Sequence, residues 1–454
     1  MNTKTSKYEI DMCNGSILDK LVSFSIPLML SGILQLLFNA VDIIVVGQFT
    51  GNEALAAVGS TTALINVFVN LFIGISLGAS VLAARFYATG QEKEMSETVH
   101  TSITLALISG IAMGIIGVIA AKGALELMDT PDNVLNLSTL YMRIYFMGMP
   151  FFMLYNYGAA ILRAVGDTKR PLLFLIISGA TNVVLNLLLV IQFHLGVAGV
   201  AIATVISQCI SCILVLRCLY LSDGSYQLRF NKLGMKTRYV KQIFQIGIPA
   251  GIQSTIINFS NVLLQSSVNS FGSVAMAGYT AANNILGFLY VSVNSITQAC
   301  MSFTSQNYGA GEEKRIHKVL FICQGLVISV GLIFGVGAWL AGDTLLSIYS
   351  SDPNVIQFGK DRMAVICTAY FLCGIMDTMV GALRGVGYSL LPMIVSLIGA
   401  CGLRIVWIFT AFQVHRSLWM LYISYPITWI ITGGVHILCY ILVRRKQLQT
   451  VKNR

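Results

Sequence analysis

The chain has 454 residues, of which 56% are hydrophobic and only 11% charged, and its mean hydropathy is +0.77. A water-soluble globule could not hide that much apolar surface, so the composition excludes a soluble protein and predicts an integral membrane one. Lys and Arg number 29 against 19 Asp and Glu, a formal net charge of +10. No basic stripe stands apart from the apolar spans, so this charge reads as membrane topology and affinity for anionic lipid, not as nucleic-acid binding.

The first 20 residues are polar and lack a short apolar core followed by a small-residue cleavage site, which argues against a cleaved signal peptide. A hydrocarbon core of about 30 Å needs roughly 20 apolar residues per helix. Residues 98–121 and 319–342 are each one such uncharged span. The stretches 171–216 and 242–311 are long enough for two spans each, with breaks at 192–199 and near 269–272. In chain order the predicted helices are 18–47, 54–84, 97–121, 133–163, 170–193, 197–220, 239–269, 275–305, 317–341, 353–385, 389–413 and 417–443. The runs lack the alternation of a membrane barrel, so the fold class is all-α.

The second half of the chain repeats the first at an offset of 221 residues. Arg163-Ala164-Val165-Gly166 returns as Arg384-Gly385-Val386-Gly387, and Pro171 as Pro392. Tyr87-Ala88-Thr89-Gly90-Gln91-Glu92-Lys93 returns as Tyr308-Gly309-Ala310-Gly311-Glu312-Glu313-Lys314, and Gly51 with Ala54 as Gly272 with Ala275. Ile26-Pro27 pairs with Ile248-Pro249 at 222. Twelve helices thus divide into two six-helix lobes, and an even number per lobe makes them parallel copies about an axis along the membrane normal. The predicted organisation is an N-terminal tail (1–20), an N-lobe (21–220), a linker (221–239), a C-lobe (240–443) and a C-terminal tail (444–454).

Of the Lys and Arg residues, only Lys122, Arg143, Lys360, Arg362, Arg416 and the central Arg404 fall outside the two tails and the even-to-odd loops. The first side includes Lys4, Lys7 and Lys20, the loop 217–241, and Arg444, Arg445, Lys446, Lys452 and Arg454. The opposite side carries the acids Glu53, Glu126, Asp129, Asp132, Asp343 and Asp352. The positive-inside rule then places both termini in the cytoplasm.

Most other features read as structure. The ten cysteines are scattered along the spans, and Cys209-x-x-Cys212 lies inside a predicted apolar helix, where thiol chemistry has neither access nor partners. The sequons at Asn136 and Asn258 read as chance matches, and Gly110-x-x-x-Gly114 as close helix packing. Eighteen Met, with many Phe and Tyr, either pack the bundle or line a promiscuous apolar site.

Ionisable groups at membrane depth are costly unless buried, paired or neutralised, and so mark function. Asp42 lies in helix one, in the half of the membrane away from the termini at 1.5 Å per residue. Asn182 and Asn186, four apart, share one face of helix five at a similar depth, with Thr204 on helix six and Tyr141 on helix four. The second repeat has Leu263 or Leu264 for Asp42, Leu403 for Asn182 and Trp407 for Asn186, so the polar character is one-sided. A carboxylate with two amide oxygens and a hydroxyl suits a small hard cation or a proton. The structural alternative is an inert Asp42 hydrogen-bonded to Asn39 or a neighbouring helix. Asp377 in helix ten and Arg404 in helix eleven either pair as a salt bridge or leave Asp377 facing a cavity that attracts cationic substrate.

The chain resembles the multidrug and toxic compound extrusion (MATE) family of cation-coupled efflux transporters. The resemblance rests on the two lobes, on Pro27 followed by Val41-Asp42 and by Gly51-x-x-Ala54-Leu55-Ala56-Ala57, and on the doubled Leu-Arg-x-Val-Gly turn at 162–166 and 383–387. It implies a V-shaped inner-membrane transporter that alternates between inward- and outward-facing forms and exports amphipathic, often cationic compounds against Na⁺ or H⁺. The family's N-lobe cation site would fall on Asp42, Tyr141, Asn182, Asn186 and Thr204, with Pro27 as the bend of helix one. The Asn182-x-x-x-186 pattern is most similar to the DinF-like branch, which often has an aspartate where this chain has Asn186. One carboxylate instead of two favours H⁺ without excluding Na⁺. No acid occupies helix seven, where NorM-like relatives carry one.

The expected function is therefore secondary active export of amphipathic compounds by antiport, by a monomer embedded in the bilayer, with no cofactor and no metal beyond Na⁺ at Asp42. A flippase for lipid-linked precursors of the same wider superfamily would carry several basic residues within its spans to hold pyrophosphate; here Arg404 is the only central one. A membrane enzyme would need a convergent acid, base or metal constellation. His194 and His415 sit at apparent loops, and no HExxH or paired-aspartate motif is present, so no catalytic residue is assigned.

Overall fold

The computed structural model describes residues 8–128 and 130–452, so Lys4, Lys7, Asp129 and Arg454, counted above among the flanking charges, lie outside the described residues. All long elements are helices: α1 (Ile17–Phe49), α2 (Asn52–Ala88), α3 (Glu92–Leu127), α4 (Asp132–Met147), α5 (Met149–Ala164), α6 (Lys169–Leu187), α7 (Gly196–Tyr220) and α8 (Thr237–Asn269). They continue as α9 (Ser273–Gly309), α10 (Glu313–Leu340), α11 (Gly342–Ser347), α12 (Pro353–Ile366), α13 (Tyr370–Gly385), α14 (Leu390–Ser396), α15 (Leu403–Phe409), α16 (Ala411–Val414) and α17 (Leu418–Lys452). No strand occurs among the described residues.

The chain forms two compact units, Met1–Asp11 with Leu30–Gly251 and Met12–Met29 with Ile252–Arg454. The boundary runs through two helices: α1 gives its first half to the second unit and α8 gives its first half to the first. Both transfers occur within a few residues of a helix-internal proline, Pro27 in α1 and Pro249 in α8. Proline removes one backbone hydrogen bond from a helix interior, which makes these the softest points of the two helices.

In the first unit the transferred part of α8 lies against α2 through facing small-residue pairs. A Cβ on Gly74 would run into the backbone of Gly251, and one on Gly78 into the Ile243 carbonyl. Reciprocally, a Cβ on Gly247 would meet Ile75 Cα, and one on Gly251 the Leu71 carbonyl. Gly74-x-x-x-Gly78 and Gly247-x-x-x-Gly251 are thus two small-residue motifs packed face to face, the arrangement that lets helix backbones touch where lipid removes the hydrophobic drive.

The sequence repeat is a repeat of packing. In the first unit a Cβ on Gly110 would lie 2.6 Å from Pro150 Cα and one on Gly114 3.1 Å from the Phe146 carbonyl. In the second unit Gly331 meets Phe371 Cα at 2.8 Å and Gly335 abuts the Cys367 carbonyl. Every one of these positions is shifted by 221. The turn glycines repeat in conformation too: φ is +89° at Gly51 and +95° at Gly272, and +92° at Gly166 and +95° at Gly387. These values belong to glycine, which explains why the turns survive in both copies.

The predicted count of twelve spans is not reproduced. Among the described residues nine helices are long and apolar enough to cross a membrane, and α12 with α13, bent by 49° at their junction, makes a tenth if taken as one. The 33-residue α8 is long enough but is lined with Gln253, Ser254, Thr255, Asn258, Ser260, Asn261 and Gln265, which lower its hydropathy. The predicted span 133–163 is cut at Gly148 into α4 and α5, 16 residues each. A side chain at Gly148 would press on Val205 Cγ2 at 2.8 Å and Gln208 Oε1 at 3.0 Å, so α7 packs into the break.

Candidate functional site

Asp42 lies on the half of α1 that belongs to the first unit. Ile43 and Ile44 beside it are 50% and 59% exposed, whereas Val45 and Val46 are buried. The half-buried Asp42 is directed at α6 and not at the apolar exterior. There Asn186 Nδ2 donates to Asp42 Oδ1 and also to Asn182 Oδ1 at 3.2 Å. Asn182 Nδ2 in turn donates to Thr204 Oγ1 on α7 at 3.5 Å, and Thr204 Oγ1 donates to the Val200 carbonyl at 3.0 Å. The i, i+4 spacing of the two asparagines on α6 stacks their amides one turn apart, which makes the continuous chain from α1 to α7 geometrically available. A π-helical turn, Leu188–Gln192, begins two residues after Asn186, a distortion that clusters at functional sites.

Asn182 and Asn186 are buried, yet Asn186 Oδ1 has no hydrogen-bond partner. A buried amide oxygen left unpaired is costly, and this one is a spare acceptor on the residue that donates to the Asp42 carboxylate. Tyr141, also buried, lies within Coulombic range of Asp42 and stacks on Tyr145 with ring centroids 6.3 Å apart. The hydrogen-bonded set is therefore Asp42, Asn186, Asn182 and Thr204; Tyr141 lies beside it. The Tyr145 hydroxyl also interacts with the Gln208 side chain of α7.

Asp377 and Arg404 form no ion pair with one another. Asp377 is half-buried on α13 and accepts a weak bond from Cys373 Sγ at 3.8 Å. Arg404 on α15 is buried, donates to Asn261 Oδ1 at 3.4 Å and Thr428 Oγ1 at 3.3 Å, and lies 4.1 Å from the centre of the Tyr425 ring. The salt-bridge alternative is not what the structure contains. Pro27 is buried within α1, two residues before that helix changes unit. Cys209 and Cys212 are free thiols in α7, and among the described residues no group of three His, Cys, Asp or Glu could hold a metal.

Two polar groupings in the second unit escaped sequence reasoning. Arg384 Nη2 donates to Gln253 Oε1 at 2.7 Å, Gln253 Nε2 donates to Ser396 Oγ at 2.9 Å, and Ser396 Oγ lies 3.1 Å from His436 Nε2. The other joins Arg362 and Arg404 through tyrosines. Its signal was present in the offset: Tyr141 maps to Arg362 and Thr204 to Tyr425.

Residues 27–188 and 249–410 each match the MatE family pattern, the two stretches being the two copies of the repeat. The chain belongs to the MatE family. Among MatE relatives it is similar to a probable multidrug resistance protein of Bacillus subtilis, YoeA, 29% identical and aligned over 84% of either chain. It is also similar to the multidrug export protein MepA of Staphylococcus haemolyticus, 22% identical over 82% of either chain. A solved outward-facing multidrug resistance MATE transporter of the MOP superfamily superposes with a TM-score of 0.90 over 99% of this chain and 100% of that one, at 20% identity. The chain thus has the multi-pass helical fold of MATE transporters.

Proposed function

We propose that this protein exports amphipathic, predominantly cationic compounds by antiport with H⁺ or Na⁺, and that the coupling cation binds in the first unit at Asp42, Asn182, Asn186 and Thr204 with Tyr141 alongside. The observation that carries the reading is the continuous hydrogen-bonded chain from Asp42 through both asparagines to Thr204. Asn186 Oδ1, within this chain, is an unpaired amide oxygen, and the positions of the chain are apolar or aromatic in the second repeat. The names of the MatE relatives, a multidrug resistance protein and a multidrug export protein, support the export of drugs. The Lys and Arg distribution supports cytoplasmic termini, and the proposed working form is a monomer in the cell membrane with lobes at 21–220 and 240–443.

The chemistry follows from who donates to whom. An ionised Asp42 accepts from the Asn186 amide, as observed. A protonated Asp42 becomes a donor, and Asn186 can receive that proton by turning its free Oδ1 toward the carboxyl. For Na⁺, the same half-turn presents Asn186 Oδ1 beside Asp42 and Asn182 Oδ1 as hard oxygen ligands. Either event changes the network joining α1 to α6 and α7, so the cation can favour one conformation over the other, as coupling requires.

In proteoliposomes, an imposed gradient of the coupling ion should drive uptake of a fluorescent cationic dye, and dissipating that gradient should stop it; uptake indifferent to both pH and Na⁺ gradients would refute antiport. Asn186→Ala removes the donor to Asp42 and should slow gradient-driven transport by about tenfold, since a hydrogen bond to a charged group contributes roughly 1.5–3 kcal/mol. Flipping of a lipid-linked precursor is the second reading, drawing on the buried Arg362 and Arg404. Scrambling of a pyrophosphate-bearing lipid without dye transport in the same vesicles would favour it.

A further inference from the structure

Among the described residues, the second unit holds two buried arginines with no carboxylate in ion-pair contact. Arg362 on α12 and Arg404 on α15 are 2% and 3% exposed, and neither has an acid within ion-pair distance among the described residues. Asp361, next in sequence to Arg362, accepts instead from Gln357 Nε2 at 2.8 Å. Burial therefore places two guanidinium groups in the low-dielectric interior without a counter-charge in contact.

Aromatic faces and neutral oxygens hold them only in part. Arg362 Cζ is 3.4 Å from the centre of the Tyr279 ring and 5.9 Å from that of Tyr422, and its Nη2 donates to Asn283 Oδ1 at 3.1 Å. The Tyr279 and Tyr425 hydroxyls lie close enough to interact electrostatically, and Tyr425 carries Arg404 on its ring at 4.1 Å. The two guanidiniums therefore belong to one cluster, spanned by a tyrosine pair from α9 and α17. Arg362 Nε and Nη1 and Arg404 Nε remain buried with no hydrogen-bond partner. Three unmade charge-assisted donors in one cluster, with π faces already used on the other side, leave an acceptor of negative charge as the missing component.

The cluster also occupies the second repeat's version of the Asp42 site. Arg362 stands at the position of Tyr141, Tyr425 at that of Thr204, and Arg404 one residue beyond the counterpart of Asn182. Where the first unit presents acidic and neutral oxygens, the second presents N–H donors and fixed positive charge.

We propose that the second unit contains an anion-binding site built on Arg362 and Arg404, bridged by Tyr279 and Tyr425, that takes a single negative charge, either a halide or the carboxylate of an amphipathic acid. The site stands on these contacts alone and does not require that the protein export cations.

Trp429 reports on it, because its ring is packed 5.7 Å from that of Tyr425 and is buried. Iodide, a quencher of indole fluorescence, is titrated into the purified full-length protein carrying Trp339→Phe, Trp407→Phe and Trp419→Phe, with gluconate keeping ionic strength constant. The expected result is saturable quenching of Trp429 that chloride reverses. In the same background Arg404→Gln should raise the half-saturating iodide concentration at least about tenfold, the loss of one charge-assisted contact. Asp42→Asn should leave it unchanged. Decanoate competing far below the chloride concentration assigns the site to acidic amphiphiles; chloride competing as well as decanoate assigns it to inorganic anions. If Arg404→Gln does not fold, Arg404→Lys serves, keeping the charge but losing the planar donor set, and should still weaken iodide. Quenching that rises linearly without saturation, or that is identical in the folded Arg404 variants, overturns the proposal.

Discussion

Asp42→Asn abolishes ion-driven export while leaving the protein folded. Asparagine keeps the size and hydrogen-bonding reach of the side chain but can neither carry a charge nor exchange a proton. The contact with Asn186 is preserved in kind, since one amide can donate to the other, so thermal stability in detergent should stay within about 3 °C of wild type. What disappears is the differential free energy that a cation supplies between the two transport conformations. A coupling of about 1–3 kcal/mol corresponds to roughly 5- to 150-fold in affinity. Gradient-driven dye uptake into proteoliposomes should therefore fall at least about tenfold, toward that of protein-free vesicles. Dye binding to the detergent-solubilised variant should persist. An Asp42→Asn protein that transports at the wild-type rate under the same gradient would remove this carboxylate from the mechanism.

Gly74→Leu has the largest expected effect on the fold. The backbone of Gly251 occupies the space into which a Cβ at Gly74 would project, and Gly247 meets Ile75 Cα a turn away. Backbone cannot rotate aside as a side-chain tip can, so α2 and the first half of α8 would have to separate. Overpacking costs typically about 1–3 kcal/mol, and here it also forfeits the close packing that holds helices together in lipid. Aggregation on size exclusion, or a melting temperature lowered by about 10 °C, is expected. Gly59→Ala is the control, because it lies on the same helix with nothing within 4 Å of the added carbon. Equal stability of the two variants would contradict the packing described.

The repeat was readable because its marks are physical necessities. The positive φ at Gly51, Gly166 and their counterparts tolerates little but glycine, so the turns stay recognisable. Asp42 stood out because a carboxylate in an apolar span is anomalous, and the four-residue spacing of Asn182 and Asn186 carried the rest. Depth along a helix follows from rise per residue, but the direction a side chain takes around the axis depends on neighbours far away in sequence. That is why Asp377 and Arg404, close in depth, turn out not to meet. Arg362 lies near the start of its span and so reads from sequence as a flanking charge, yet tertiary packing buries it on Tyr279. Likewise Pro27 and Pro249 mark weak points in α1 and α8, but a proline does not say which unit each half-helix will join.

The central claim is that substrate and cation compete through Asp42. Purified protein in weakly buffered detergent solution, or equilibrated with radioactive Na⁺, is mixed with a cationic dye, and the protons or Na⁺ released are counted per dye bound. The account predicts stoichiometric release from wild type and none from Asp42→Asn, with dye still bound by both. Equal release from the two proteins would contradict it.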